Sequence, residues 1–299
     1  MNRTDVGLRL AIIGVGRVGS ALALALDKDV VETKAIIDSD SERLRIISNL
    51  VEASCYSTDI ADLPVVDVII IAIPDDGIAS MVARLEKVFS HQKLAQFVFH
   101  TSGVLTSEVL MPLKKKQSVF IASLHPVQTF SGSIDDQRRF KHAYFDVEGD
   151  AEAMVQAEII TNLLGSQLIE IIPEQKPIFH LACTMASNYL NSLLFMVTNL
   201  MKHIDLSEKE ALNILYPLLE ATLQNIKQDG LEKALTGPVL RGDIGTVQKH
   251  LQILQNKFPH FKQAYLELGK ILISNIKANT TSVEKNHIII KKILTTNES

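Results

Sequence analysis

Residues 8–19 have the sequence L-R-L-A-I-I-G-V-G-R-V-G, an apolar run that leads directly into the pattern G-x-G-x-x-G. Helix-forming residues follow from 18 to 26. Between a strand and a helix, the first glycine permits a tight turn, the second lets a phosphate approach the backbone, and the third allows close helix–strand packing. The N–H groups and the positive dipole end of that helix favour an anion. The stretch therefore predicts the first βα unit of a dinucleotide-binding sheet, with a pyrophosphate at Gly14, Val15, Gly16, Arg17, Val18 and Gly19.

An acidic residue follows at the spacing that this arrangement requires. Asp38 comes 19 residues after Gly19, at the end of a second predicted strand, 33–37. A carboxylate there accepts hydrogen bonds from the adenosine ribose hydroxyls and repels the 2′-phosphate of NADP. This favours NAD slightly, although Ser39, Ser41 and Arg43 are compatible with NADP. The alternative is a glycine turn beside a surface Asp38 that binds no ligand.

The first half of the chain alternates short apolar runs with helical stretches. Residues 65–73 form an almost continuous Val/Ile run, which is typical of a parallel strand buried on both faces. Further strands are predicted at 97–100 and 119–124, with a late strand at the sheet edge at 142–147. This order predicts an α/β fold, a doubly wound parallel Rossmann sheet.

Three predicted strand ends carry the residues expected at the ligand crevice. In this architecture ligands bind outside the carboxyl ends of the strands. Ile73 and Pro74 follow the buried strand, and we expect them near the nicotinamide ribose. The other two ends are His100-Thr101-Ser102-Gly103 and Ser123-Leu124-His125-Pro126. Histidine suits proton exchange near neutral pH, so at least one of the two histidines is a catalytic candidate, whereas a structural histidine is the alternative.

After Gly149 the pattern becomes helical, which predicts a dinucleotide-binding domain at 1–149 and a helical substrate and dimerisation domain at 150–299. Residues 178–201 are apolar nearly all round, so this helix is predicted to be buried. Polar side chains nevertheless recur on one face, which suggests either a wet cleft or a polar seam between helices. The polar residues of this face are His180, Thr184, Ser187, Asn188 and Asn191.

Two charged residues in the second half have open roles. Lys176 comes just before the predicted helix start at Pro177, where a cation is electrostatically unfavourable. It is either a substrate-binding or proton-donating residue or a solvated surface lysine. Arg241, in the loop L-T-G-P-V-L-R-G-D, either clamps a substrate carboxylate or pairs with Asp243.

Composition narrows the function classes. The chain has 299 residues, of which 46% are apolar and 21% charged, with a net charge of −4. It offers no basic stripe for nucleic acid, no metal-ligand spacing among its nine histidines, and only Cys55 and Cys183 as cysteines. Arg17 and three glycines interrupt the apolar run 8–26, which argues against a signal peptide. We expect a cytoplasmic protein with a small-molecule substrate, without a metal site, a membrane span or a nucleic-acid partner.

The motifs together resemble a known family, the Rossmann-like oxidoreductases that carry a C-terminal domain of unknown function. The resemblance covers roughly residues 8–275, and these proteins are similar in turn to pyrroline-5-carboxylate reductases, prephenate dehydrogenases and β-hydroxyacid dehydrogenases. It implies a helical C-terminal domain of the 6-phosphogluconate dehydrogenase type and a homodimer formed through that domain. The motifs are G-V-G-R-V-G, A-I-P-D-D, H-T-S-G, S-L-H-P-V-Q-T-F, H-L-A-C-T-M-A-S-N and L-T-G-P-V-L-R-G-D-I-G-T-V-Q-K-H-L.

The resemblance also implies residue roles. S-L-H-P resembles the G-S-H-P motif of prephenate dehydrogenases, whose histidine is catalytic, and this implies that His125 exchanges the proton. The continuation Val127-Gln128-Thr129 differs from theirs, which argues against prephenate as substrate. In β-hydroxyacid dehydrogenases a Lys precedes an Asn by four residues, whereas here Lys176 precedes His180.

The sequence thus predicts an NAD(P)-dependent oxidoreductase that transfers a hydride between nicotinamide and a C=O or C=N group of a small, carboxylate-bearing metabolite. The rival hypothesis is a non-catalytic dinucleotide sensor or regulatory protein that acts through its helical domain. The candidate catalytic residues are His125, Lys176 and His180; the cofactor candidates outside the glycine loop are Asp38, Ser39, Ile73, Pro74, His100 and Ser102; the substrate candidates are Ser102, Asn188 and Arg241.

Overall fold

The computed structural model describes residues 7–26, 30–90, 94–116, 118–276 and 281–296. Within these ranges one sheet of eight strands dominates the N-terminal part of the chain. The strands are β1 (Leu8–Ile13), β2 (Val31–Ile37), β3 (Cys55–Ser57), β4 (Val68–Ile71), β5 (Phe97–His100), β6 (Phe120–Val127), β7 (Tyr144–Gly149) and β8 (Gln167–Glu170).

The strand order is β3-β2-β1-β4-β5-β6-β7-β8. Strands β1 to β6 are all parallel, β7 pairs antiparallel with β6, and β8 pairs parallel with β7. The chain leaves β1 towards β2 on one side and returns to β4 on the other, which creates the switch point of a doubly wound sheet. The predicted α/β fold class is confirmed. The late strand predicted for the sheet edge is β7, but β8 occupies the edge, and the three-residue strand β3 was not predicted.

Helices cover both faces of this sheet, and the described chain after β8 is mostly helical. Five of those described precede residue 170: α1 (Arg17–Ala25), α2 (Ser41–Ser48), α3 (Asp75–Phe89), α4 (Met111–Lys116) and α5 (Ala151–Leu163). Those that follow are α6 (Lys176–Thr184), α7 (Leu190–Lys202), α8 (Glu208–Ala234), α9 (Ile244–Lys257), α10 (Pro259–Ser274) and α11 (Thr281–Thr296), with a π-helical turn at Met185–Tyr189 between α6 and α7.

Burial along β4 shows why the Val/Ile run becomes a central strand. Val68 and Ile70 belong to the apolar cluster on one face of the sheet, and Ile69 and Ile71 belong to the cluster on the other. All four side chains are buried. Because successive side chains of a strand point to opposite faces, only a strand covered on both sides buries a continuous apolar run.

The helix starts follow local capping rules. Ser207 and Glu210 form a capping box at the start of α8, where the Ser207 hydroxyl accepts the Glu210 N–H at 3.3 Å and the Glu210 carboxylate accepts the Ser207 N–H at 2.9 Å. The cap of α2 is Asp40, since its carboxylate accepts the N–H groups of Glu42 and Arg43.

The chain divides into two compact units, Met1–Tyr189 and Leu190–Ser299. The division lies 40 residues beyond the boundary predicted at 149/150. The physical reason is that α5 contacts β6, β7 and β8, and that β8 extends the sheet itself. The second unit has its own apolar core, formed by Val247, Leu251, Leu266, Ile273, Ile290 and Leu294.

The prediction that the apolar helix at 178–201 is buried is wrong for this chain. In the first unit Ile178 is 70% exposed and Leu181 54%, and in the second unit Phe195 is 64% exposed. Periodicity shows that most of a helix surface is apolar, but it does not show whether the surface that covers it belongs to the same chain. Among the described residues, no helix combines the length and apolarity needed to span a membrane.

Candidate active site

A cavity of about 780 Å³ runs along the carboxyl ends of the strands in the first unit. It begins at the glycine loop between β1 and α1, passes the end of β2, and reaches the loops that follow β4, β5 and β6. Most of the predicted cofactor residues therefore share one cavity wall with two of the candidate catalytic residues, His125 and His180. The predicted residues that line it are Gly14, Gly16, Arg17, Val18, Asp38, Ser39, Ile73, Pro74, Ser102, His125 and His180.

The three glycines have the separate roles that the motif predicts. Gly14 has φ +95°, and a Cβ there would lie 2.5 Å from the Ala72 carbonyl oxygen. A Cβ at Gly19 would lie 1.9 Å from the Gly14 carbonyl oxygen, so only glycine lets α1 approach the loop. A Cβ at Gly16 would meet no protein atom within 4 Å, which leaves open space above the backbone. The loop thus fits a dinucleotide pyrophosphate, which needs that space.

We expect Gly16→Ala to separate binding from folding. Because the added methyl group meets no protein atom, the free energy of unfolding should change by less than about 1 kcal/mol, as for a surface substitution. The methyl group should occupy the space for the phosphates and weaken NADH binding at least tenfold, measured by titration calorimetry. Gly19→Ala is the contrasting variant and should destabilise the fold. Unchanged cofactor affinity in Gly16→Ala would contradict this assignment of the loop.

Asp38 is fixed in the cavity wall by the backbone. One carboxylate oxygen accepts the N–H of Val15 at 2.7 Å, and the other accepts the N–H of Asp40 at 2.8 Å. Val15 thus contributes a backbone group that holds the acid, while its own side chain is buried beneath the loop. Two arginines at the rim are already paired with carboxylates, Arg43 with Asp40 at 3.3 Å and Arg84 with Asp59 at 3.8 Å.

His100, which the sequence predicts as a cofactor contact, forms its ring hydrogen bonds within its own loop. Its side chain is completely buried, and it is not part of the cavity lining. Nδ1 accepts the Ser102 N–H at 3.2 Å, so Nε2 carries the proton and donates to the Thr106 carbonyl at 3.2 Å. Burial, the largest effect, lowers the pKa of His100 to about 4, so the ring is neutral at physiological pH.

Burial of neutral His100 predicts a pH-dependent stability. The unfolded chain binds a proton at this residue below its ordinary pKa of 6.5, whereas the folded chain does so only near 4. Stability is therefore lost as the pH falls from 6.5 to 4, by up to roughly 3 kcal/mol for this one group. Urea unfolding at pH 7 and pH 4.5 should show a smaller difference for His100→Gln than for the wild type. An equal difference would contradict the prediction.

Ser102 shapes the loop after β5. Its hydroxyl accepts the N–H groups of Val104 and Leu105 at 3.2 and 3.0 Å, so it closes a tight turn at the cavity wall. The next residue, Gly103, lies directly against the candidate histidines. A Cβ at Gly103 would lie 2.3 Å from Cδ2 of His180 and 2.8 Å from Nε2 of His125.

His125 belongs to a buried chain of charged and polar groups. Its Nδ1 is 2.6 Å from one oxygen of Asp146, and the other oxygen of Asp146 accepts a hydrogen bond from the Lys176 ammonium at 2.6 Å. Both Asp146 and Lys176 are fully buried, whereas the His125 side chain is 16% exposed and lines the cavity. Of these three hydrogen-bonded side chains, only His125 can therefore contact a ligand in the cavity.

The Asp146 carboxylate is held in its charged form. Burial alone would raise its pKa, but the hydrogen bond and charge of His125, together with the Lys176 ammonium, bring the pKa below the usual value of 3.8. Because a charged carboxylate only accepts hydrogen bonds, the protonated Nδ1 of the imidazole donates to Asp146, and Nε2 is the nitrogen that faces the cavity.

Lys176 lies in neither of the environments considered from the sequence. It is not a solvated surface lysine, since its side chain is 0% exposed, and it does not line the cavity. Asp146, which the sequence analysis missed, is its counterion. The signal available was a carboxylate in the apolar strand β7, paired directly opposite His125 in the register of β6 and β7.

The polar face predicted on the helix at 178–201 contributes to a second cavity of about 540 Å³ next to His125. Of the five polar residues predicted for that face, four belong to the first unit. All four line the second cavity: His180, Thr184, Ser187 and Asn188. The His125 and His180 rings meet edge to face, with centroids 5.8 Å apart. The π-helical turn at Met185–Tyr189 contains Ser187 and Asn188, and such turns are frequent at functional sites.

Two family models match the chain in succession. A Rossmann-like domain matches residues 2–126, and a domain of unknown function, DUF2520, matches residues 143–271. The chain joins a Rossmann-like domain to a DUF2520 domain. This confirms the resemblance predicted from the motifs. None of the curated protein sequences compared with this Rossmann–DUF2520 protein matches it.

Solved structures share the fold of this Rossmann–DUF2520 protein at low identity. A Bacteroides fragilis protein assigned as an NADP oxidoreductase is 24% identical, with a TM-score of 0.71 and coverage of 88% of this chain and 97% of its own. A Thermotoga maritima protein is 21% identical, with a TM-score of 0.64 and coverage of 97% and 100%. The 1-pyrroline-5-carboxylate reductase of Streptococcus pyogenes is 16% identical, with a TM-score of 0.60 and coverage of 96% and 99%.

The loop with Arg241 lies in the second unit, within the DUF2520 match. Asp243 caps α9, since its carboxylate accepts the Thr246 N–H at 3.0 Å and the Thr246 hydroxyl at 2.7 Å. These hydrogen bonds, led by the backbone one, lower the pKa of Asp243. The Arg241 side chain is exposed. Asp243 thus caps α9, the Arg241 charge contributes further to its lowered pKa, and the two alternatives for Arg241, a carboxylate ligand or pairing with Asp243, both stay predictions.

Proposed function

We propose that this protein is an NAD(P)-dependent oxidoreductase that moves a hydride between nicotinamide and a C=O or C=N group of a small, carboxylate-bearing metabolite. One observation carries the proposal: the glycine-loop cavity and the polarised His125 share a continuous wall at the carboxyl edge of the sheet. The fold similarity to reductases supports it, although similarity of fold alone does not determine function.

The residues of the first unit would hold a dinucleotide along that edge. The N–H groups at the start of α1 and the open space at Gly16 suit the pyrophosphate, and Asp38 suits the adenosine ribose. Ile73 and Pro74 would lie beside the nicotinamide ribose. When bound, the nicotinamide supplies or accepts the hydride.

His125 would exchange the proton at Nε2, and Asp146 would hold its ring in the required tautomer. Lys176 would act as a positioning residue for Asp146, because its buried ammonium cannot touch a ligand in the cavity. Ser102, His180 and Asn188 would orient the substrate, and the substrate role of Arg241 stays a prediction from the sequence. Of these, His180 and Asn188 line the cavity beside His125.

For the cofactor form, we propose that NAD is preferred over NADP. The Asp38 carboxylate is 8% exposed and forms part of the cavity wall, where a 2′-phosphate would meet its negative charge. The nearby Arg43 and Arg84 pair with carboxylates. This proposal differs from the NADP assignment of the Bacteroides fragilis relative.

For assembly and location, we propose a cytoplasmic homodimer formed through the helical unit. Large apolar side chains of α7 and α8 are exposed in the single chain, among them Phe195, Tyr216, Leu218 and Leu223. Exposed apolar surface of this kind marks protein–protein contacts in many proteins. Cys55 and Cys183 are both unpaired, as is usual in a reducing compartment.

Titration calorimetry with NADH and NADPH, followed by a substrate screen with the bound form, tests the proposed function. Binding of a nicotinamide dinucleotide together with substrate-dependent change in nicotinamide absorbance is the expected result. Binding without hydride exchange across a broad panel would favour the sensor hypothesis. If neither cofactor binds, the oxidoreductase proposal is wrong.

A further inference from the structure

We infer, on the basis of the proposed oxidoreductase function, that the substrate pair of this site is a carbonyl compound and its alcohol, and not a protonated imine and its amine. The observation that carries this inference is the His125–Asp146–Lys176 chain, which is built to give and take a proton at the cavity wall. The lining of the second cavity, beside His125, contains no carboxylate that could balance the charge of a cationic imine.

The orientation of His125 supplies the first step. Its Nδ1 is bound by Asp146, so the ring cannot turn without breaking a hydrogen bond of 2.6 Å to a buried charge. Within the described part of the chain, no protein group hydrogen-bonds Nε2, which lies against Gly103 at the cavity wall. The site therefore presents Nε2 of His125 as an oriented acid–base nitrogen.

The chemistry of a carbonyl needs such a nitrogen. In reduction, the carbonyl carbon takes a hydride, with its two electrons, from the reduced nicotinamide, and the carbonyl oxygen takes a proton from protonated Nε2 of His125. A C–H and an O–H bond form, while the C=O π bond and the Nε2–H bond break. The nicotinamide is oxidised, the substrate becomes an alcohol, and neutral His125 recovers a proton from water. The reverse steps oxidise the alcohol, with His125 as the base.

A protonated imine has no comparable need. When its carbon accepts the hydride, the product is already a neutral amine, so no acid has to act in that step. Such a cation would also be repelled by a protonated His125. The second cavity, where the substrate would lie, has no Asp or Glu side chain in its lining, and Asp146 is buried behind His125.

Lys176 supplies the countercharge of Asp146, since its ammonium lies 2.6 Å from the carboxylate oxygen that does not contact His125. The groups that face His125 are Asp146 from β7 and His180 and Cys183 from α6, whereas Lys176 contacts the other oxygen of Asp146. Burial, with the Asp146 charge, raises the pKa of Cys183, so this thiol stays uncharged at neutral pH.

Turnover of two probe sets tests the substrate class. One set contains 2-oxo and 3-oxo acids, and the other contains 1-pyrroline and 1-pyrroline-5-carboxylate, each with NADH and NADPH. We expect reduction of at least one oxo acid and a loss of roughly 100- to 10,000-fold in His125→Gln, with no loss in the exposed control His260→Gln. Turnover of imines alone, or oxo-acid reduction that survives His125→Gln, would overturn the inference.

Side-chain ¹⁵N NMR of the histidines gives a readout that does not require turnover. The wild type should show His125 protonated at Nδ1 at neutral pH, and Asp146→Asn should lose this tautomer preference. A wild-type His125 protonated at Nε2 would overturn the inference. An enzyme that reduces only imines would still leave the oxidoreductase proposal intact, whereas cofactor binding without turnover of either set would overturn both.

Discussion

Lys176→Met is expected to lower the free energy of unfolding by about 3–5 kcal/mol, the usual cost of removing one partner from a buried ion pair. Methionine fills most of the volume of the lysine stem but has no charge. The Asp146 carboxylate would then remain at 1% exposure without its ammonium, which is 2.6 Å away in the wild type. The loss should exceed that of an ordinary surface substitution, because a buried charge cannot recover its hydration.

Urea unfolding at pH 7 measures this effect, and Lys202→Met is the matched control. Lys202 pairs with Glu208 at 3.1 Å on the surface, with both side chains about half exposed, and its loss should cost about 0–1 kcal/mol. The double variant Lys176→Met with Asp146→Asn should recover part of the stability, since no unpaired charge remains buried. If Lys176→Met costs no more than Lys202→Met, the buried pair does not have this role.

The same variant predicts a pH dependence with a defined sign. The pKa of Asp146 is lowered in the folded wild type, so the charged pair stabilises the fold above the ordinary carboxyl pKa of 3.8 and this contribution is lost as the pH falls below it. In Lys176→Met the carboxylate can avoid its unpaired charge by taking up a proton in acid. The difference in stability between wild type and variant should therefore be largest at neutral pH and shrink below about pH 4.

The part of the site that the sequence predicts correctly is local. Gly14, Gly16 and Gly19 act within one turn, and each role depends only on a strand before and a helix after the loop. Asp38 lies at a strand end beside that loop, and its hydrogen bond to Val15 follows from parallel pairing of β1 and β2. Such residues are predictable because spacing along the chain fixes their positions in the sheet.

The part that the sequence does not predict depends on contacts between distant residues. Asp146 meets His125 across 21 residues and Lys176 across 30, and neither spacing has a local signature. Lys176 at a helix start looks unfavourable from the helix dipole alone, yet a buried carboxylate outweighs that partial charge. His100 has the same strand-end position as His125 but is buried in its own loop, and periodicity cannot tell these two environments apart.

Asp38→Asn is expected to weaken NADH binding by roughly 10- to 100-fold and to reduce the preference for NADH over NADPH. Hydrogen bonds to a charged group contribute about 1.5–3 kcal/mol, and the variant removes the charge that accepts the ribose hydroxyls. It also removes the repulsion of a 2′-phosphate, so NADPH affinity should stay constant or rise. Asparagine keeps the shape of the side chain and one acceptor oxygen, so at least one of the two backbone hydrogen bonds to Val15 and Asp40 can persist.

Calorimetric Kd values for both cofactors in the wild type and variants measure this change, with Asp76→Ser, an exposed acidic residue of α3 outside the cavity lining, as the control. The ratio of the two Kd values is the decisive quantity. A disrupted loop would weaken both cofactors equally and leave the ratio unchanged, whereas loss of the Asp38 charge changes the ratio in one direction. A wild type that binds NADPH more tightly would contradict the preference assigned to Asp38. The Asp38 carboxylate lines the cavity and accepts a hydrogen bond from Val15 in the glycine loop. Its charge therefore acts next to the places where the pyrophosphate and the adenosine ribose of the cofactor would be bound.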